Sequence, residues 1–172
     1  MSVITKNQAI QLLLDCLPDK LIPLFGSTTQ ASKILEQRLN LQNMLIITQD
    51  EKLTGLLGFY NRGQGFLNLS ASALAVPVTP QQFYIEILCT APAFRQQGIA
   101  RLLLQQAEQQ AKQIHCKSLV LDVWQHNHAA LCLYRQAGFQ LVGQHRAQAP
   151  LSHYNFLKME KTFLKQYDFV SF

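Results

Sequence analysis

Apolar residues recur every three or four positions over some stretches and on alternate or consecutive positions over others, a mixture that predicts helices flanking a sheet. Residues 5–17 carry the helical period, and so does a stretch through Ile34, Leu35 and Leu39 for which Thr28 or Thr29 is the expected cap. Residues 44–48 and 53–60 read as strands joined by the polar turn Gln49-Asp50-Glu51-Lys52. The run from Ile85 to Thr90 reads as another strand. It enters a long helix with apolar positions at Ile99, Leu102, Leu103, Ala107, Ala111 and Ile114, and with Arg101, Gln105, Glu108 and Lys112 facing water. Residues 117–123 predict a short branched-apolar strand. The helix after it has Asn127 as N-cap and Gly138 as the left-handed residue that closes it. Residues 139–145 and 154–159 read as the last two strands. The segment 61–82, with Gly63, Gly65, Pro77 and Pro80, is longer than a tight hairpin needs, and its Phe66, Leu67, Leu69, Leu74 and Val76 imply packing. The aromatic tail, 163–172, reads as an element for docking or for pairing in a homodimer.

At 172 residues the chain is read as one domain, 1–172, long enough to bury a single core. No stretch approaches about eighteen uninterrupted apolar residues, so neither a membrane span nor a signal peptide is expected, and a cytoplasmic location is. Cys16, Cys89, Cys116 and Cys132 are scattered and read as buried thiols of a reducing compartment. The net charge of +5 raises the question of nucleic acid. Lysines and arginines nevertheless stand singly, without a basic run or aromatic interleaving, so no nucleic-acid partner is expected. His126, His128 and Cys132 have no recognised zinc spacing, and no metal is expected. Cys89 as a nucleophile lacks an evident activating base, and there is no G-x-S-x-G elbow.

The turn between strand and long helix carries the chemistry. A helix beginning near Gln97 or Gly98 presents amides without intrahelical partners at the positive end of its dipole. Gly98 has no Cβ and Ala100 the smallest, so a diphosphate can rest on backbone, with Arg95 adding a charge-assisted contact. The spacing Arg95-x-x-Gly98-x-Ala100 is neither G-x-G-x-x-G nor a Walker loop.

These residues resemble the coenzyme A signature of the GNAT superfamily of N-acetyltransferases, Q/R-x-x-G-x-G/A, preceded by Leu88-x-x-x-Pro92. Asn127, with Tyr134 seven residues on and Gly138-Phe139 after it, resembles the second half of that core. The resemblance spans about residues 83–146. It implies an α/β (α+β) GNAT fold, a mixed and mostly antiparallel splayed sheet of about six or seven strands flanked by helices, with the first two helices forming one lip of the substrate cleft. In this family the third and fourth strands are antiparallel neighbours, which places part of 61–82 as the third strand.

The implied function is transfer of an acetyl group from acetyl-CoA to a primary amine, on a small molecule or a protein, by direct attack. Arg95, Gln96, Gln97, Gly98, Ile99 and Ala100 would hold the pyrophosphate. The backbone of Leu88, Cys89 and Thr90, on a strand expected to bulge, would hold the pantetheine and the thioester oxygen. Glu86 is the expected base, or else an ordinary strand carboxylate; alternation sets it on the face of Leu88 and Thr90. Tyr134 is the expected acid for the thiolate, or a core aromatic. Asn127 contacts the pantetheine arm, caps the helix, or does both. A non-catalytic acyl-CoA-binding or sensing domain is the alternative, and would tolerate loss of Glu86 and Tyr134.

Overall fold

The expected helices and strands form in a computed structural model that describes residues 4–67, 78–147 and 152–163. Helix α1, Lys6–Cys16, begins in a capping box in which Thr5 and Gln8 satisfy each other's backbone amides. A short helix α2, Pro18–Phe25, follows with Pro18 in its first turn, and periodicity over so few residues around Pro23 did not announce it. Helix α3, Thr28–Arg38, is capped by Ser27 rather than by Thr28 or Thr29: Ser27 forms the box with Gln30, three positions on, which neither threonine has in that register.

Strands β1, Met44–Gln49, and β2, Lys52–Asn61, pair antiparallel through a turn whose residues Asp50 and Glu51 both have positive φ. Arg62 and Gly63, also at positive φ, turn the chain back into the two-residue strand β3, Gln64–Gly65, on the end of β2. The antiparallel neighbour of the motif strand β4, Gln82–Thr90, is β2. That corrects the expectation that this neighbour lies within 61–82. Leu69, Leu74 and Val76 lie outside the described residues, as does the tail beyond Phe163.

Helix α4, Ile99–Gln113, strand β5, Ser118–Trp124, helix α5, His128–Gln136, and strands β6, Gln140–Arg146, and β7, Asn155–Thr162, complete the order. The sheet runs β1-β2-β4-β5-β7-β6, with β3 on β2, and among the described residues only β4 and β5 pair parallel. Two cores cover its faces. On one, α4 and α5 bury Ile99, Leu103, Leu104, Ala107 and Leu131 against Phe83, Ile85, Leu119 and Leu121. On the other, Ile10, Leu13 and Leu35 from α1 and α3 meet Leu56, Phe66 and Cys89. The α4 stripe is thus turned from the expected one: Leu104 is buried and Leu102 exposed. Of the four free thiols, Cys89 and Cys116 are buried, Cys16 is half-buried and Cys132 is exposed, against the expectation that all are buried. Among the described residues no helix is long and apolar enough to cross a membrane.

Candidate active site

Strands β4 and β5 pair only from Gln82↔Ser118 to Ile85↔Leu121. Beyond that pair, β4 continues on β2 as far as Thr90↔Gly55, and β5 continues on β7 as far as Trp124↔Phe156. A split therefore opens in the middle of the sheet. Its β4 wall ends in the one-turn 3-10 helix Pro92–Phe94 and the turn into α4.

The turn has the expected form. Gln96 and Gly98 are both left-handed, at φ 62 and 80, and Gly98 is the N-cap of α4 without a capping side chain. The first helical amide to find its partner is Leu102, bonded to the Gly98 carbonyl at 3.0 Å. The amides of the preceding turn carry the partial positive charge of the helix end. Close packing brings this end to the sheet: a Cβ on Gly55 would stand 2.4 Å from Ile99 Cγ2.

The β4 wall carries the expected bulge. Gly58 pairs with Ile87 and Phe59 with Ile85, so Glu86 has no partner on β2. The extra residue shifts the alternation. Leu88 packs with the α4 core, whereas Ile87 and Cys89 pack with the α1–α3 core. Glu86 also turns to the α1–α3 side, where Oε2 accepts the Leu67 amide at 3.0 Å and Oε1 has no hydrogen-bond partner among the described residues. Glu86 thus lies across the sheet from Leu88, not beside it. Burial raises its pKa, and the Leu67 and Phe66 amides draw it only partly back.

The β5 wall was not read as functional from sequence. Asp122, alone among the apolar residues of its strand, has a side chain only 8% exposed. Its Oδ2 accepts the Tyr84 hydroxyl at 2.8 Å, and His145 Nδ1 lies 3.6 Å from Oδ1. Burial raises the Asp122 pKa against the pull of Tyr84, His145 and Lys158. Burial, then Asp122, push the Tyr84 phenol well up.

Asn127 caps α5, its Oδ1 accepting the Ala130 amide at 3.2 Å. Tyr134 is buried in the α4–α5 core with its ring 5.7 Å from Phe139. Burial raises its phenol pKa, so the hydroxyl stays protonated. Glu86 and Tyr134 consequently belong to opposite faces of the split sheet. A cavity of about 290 Å³ between Arg101, Glu108, Gln136 and Lys161 lies between α4 and the C-terminal end of α5, and none of Glu86, Asp122, Asn127 and Tyr134 lines it.

The split between β4 and β5 beside the left-handed Gly98 turn is the mixed, mostly antiparallel splayed α/β fold that the resemblance implied, and the comparisons agree. Residues 8–139 match the model of the acetyltransferase (GNAT) family, and the chain belongs to that family. An uncharacterised N-acetyltransferase of Bacillus subtilis (strain 168), YdgE, is 34% identical over 69 residues. That match covers 40% of this chain and 44% of the relative, so it spans less than half of the relative's length. The ribosomal-protein-S18-alanine N-acetyltransferase of Escherichia coli superimposes with a TM-score of 0.64 at 17% identity, covering 100% of this chain and 97% of that one. A Bacillus subtilis acetyltransferase in complex with CoA gives 0.64 at 14% identity, covering 95% and 96%. At such identities the likeness is one of fold.

Proposed function

We propose that the chain moves an acetyl group from acetyl-CoA to a primary amine by direct attack. The observation that carries this is the bulge that places Glu86 at the opening of the β4–β5 split, on the same strand that runs into the Gly98 turn. The residues fit the donor. Amides from Gln96 to Ala100, with Arg95, suit its pyrophosphate. The edge of Leu88, Cys89 and Thr90 that faces away from β2 suits the pantetheine and the thioester oxygen. A fold neighbour is in complex with CoA, which supports CoA as the carrier of the donor group.

In the proposed step the amine nitrogen attacks the thioester carbonyl, Glu86 takes the amine proton, and the C–S bond breaks. Tyr134 returns a proton to the sulfur from the opposite face, and Asn127 orients the arm. Burial raises the Glu86 pKa, which makes it a stronger base than an ordinary carboxylate for taking the amine proton.

The test is release of free CoA when the purified chain is mixed with acetyl-CoA and a panel of amines. Amine-dependent release that is slowed in Glu86→Gln supports the reading. Tight CoA binding with no release across the panel would overturn it in favour of a sensing domain.

A further inference from the structure

The split opens on two carboxylates. Glu86 is the first residue of β4, and Asp122 the first of β5, past the last parallel pair, Ile85↔Leu121. Each has one oxygen held, by the Leu67 amide and by the Tyr84 hydroxyl, and one buried oxygen with no hydrogen-bond partner among the described residues. Leaving a buried carboxylate oxygen unpaired is costly, so a ligand that brings a donor is favoured there. The acetyl-transfer step uses Glu86 and leaves Asp122 unexplained.

Asp122 stands beside an aromatic wall. Trp124, two residues along β5, is on the same face as Asp122 and pairs with Phe156, which pairs in turn with His145. The Trp124 ring lies 5.2 Å from Tyr154 and 5.3 Å from His126, Tyr154 lies 6.1 Å from Phe156, and His145 stacks on Phe156 at 5.9 Å. These rings are half-buried apart from His126, which is exposed. A buried carboxylate with one oxygen that, among the described residues, accepts no hydrogen bond and has only His145 Nδ1 near it, at 3.6 Å, next to half-buried aromatic faces, is an environment an alkylammonium group selects. The titratable groups that act on Asp122 are Tyr84 on β4, His145 on β6 and Lys158, its register partner on β7. Among the described residues Lys158 forms no ion pair with it.

We propose that Asp122, with Trp124, Tyr154 and Phe156, is a specificity site for a second cationic group of the acceptor, so that the acceptor class is a diamine or other polycationic amine. This rests on the acetyl-transfer reading for the identity of the cleft, but its test does not depend on turnover.

Trp124 is the single tryptophan of the chain, so fluorescence excited selectively at tryptophan reports this wall. Titration of the CoA-saturated protein with cadaverine and with n-pentylamine should give an apparent Kd about tenfold lower for the diamine. In Asp122→Asn that ratio should fall to about threefold or less. Lys158→Gln, which removes a competing cation, should tighten cadaverine by a few-fold, on the order of one close charge interaction near the surface. A structural role for Asp122 predicts no such gain, and this variant leaves the Tyr84–Asp122 bond in place should Asp122→Asn fold poorly. Equal affinities for the two amines, a preference kept in Asp122→Asn, or cadaverine binding unchanged in Lys158→Gln would each overturn the proposal. Failure of CoA release with every amine would instead overturn the acetyl-transfer reading, while the binding ratio still decides the role of Asp122.

Discussion

The ring of Phe66 lies against Gly58, where an added Cβ would stand 2.1 Å from Phe66 Cδ1. The missing side chain lets a fully buried aromatic settle on the sheet beside the bulge, and Phe66 in turn sets the next amide, Leu67, over Glu86. Gly58→Ala must displace the ring. Overpacking of this kind costs about 1–3 kcal/mol, read as a lower midpoint in denaturant. It should also loosen the Leu67 bond, which now lowers the Glu86 pKa, and so move the acid limb of kcat/KM to higher pH.

Glu86→Gln keeps an oxygen for the Leu67 amide and removes the base. A loss of about a hundredfold to ten-thousandfold in kcat/KM is expected. Because burial raises the Glu86 pKa, the wild-type rate should fall on the acid side at a higher pH than an ordinary glutamate would set, and the variant should lack that limb. The sign for stability is the reverse. A folded pKa above the unfolded one means that the contribution of Glu86 is full below the unfolded value and is lost as pH rises through the folded one. Melting temperatures across that window should fall less in Glu86→Gln than in wild type.

The left-handed turn into α4 was legible because such a turn needs a residue without a Cβ at a fixed offset before the helix, and Gly98 stands there in the chain. Gly98 as N-cap of α4, Asn127 as cap of α5 and Gly138 as its left-handed close were legible for the same local reason. The side of the sheet that Glu86 takes was not. Alternation assumes one residue opposite one, and the bulge against Gly58 and Phe59 breaks that count within β4. Asp122 was not read as functional, although it is a carboxylate in a mostly apolar strand, because Tyr84 and His145 reach it from β4 and β6, which only the sheet order brings together. Leu104 displaced Leu102 from the core because the stripe of α4 was read from its apolar residues without the sheet that sets its rotation.

At Gly98 a Cβ would meet nothing within 4 Å, so space does not forbid a side chain there. Its φ of 80 does. Gly98→Ala should therefore cost about 1–2 kcal/mol of left-handed strain, visible in melting, and should weaken acetyl-CoA binding because relief of that strain moves the amides that follow. Gly55→Ala is the contrast. There the strain comes from contact with Ile99 Cγ2 at 2.4 Å and Leu103 Cδ1 at 3.0 Å, and the larger loss should fall on stability.

The Tyr134 hydroxyl makes no hydrogen bond among the described residues, so Tyr134→Phe removes little from the fold. If the phenol gives its proton to the departing sulfur, kcat should drop by about a hundredfold or more, while the melting temperature and the Kd for CoA stay close to wild type. The drop should shrink with a thioester whose thiol is more acidic, since such a sulfur leaves without a donor. A core aromatic with no chemical role predicts the same small kcat change for both donors, and steady-state rates on the two thioesters decide between them.

Asn127 has two roles to separate, because its Oδ1 already serves the Ala130 amide. Asn127→Ala removes the cap and should cost about 0.5–2 kcal/mol of stability. Asn127→Ser keeps a capping oxygen but loses the carboxamide N–H groups. If those groups also hold the pantetheine arm, the serine variant melts close to wild type while its KM for acetyl-CoA rises several-fold, by about one hydrogen bond's worth of binding. If Asn127 only caps the helix, KM in the serine variant stays at the wild-type value, and any rise in the alanine variant follows its lost stability.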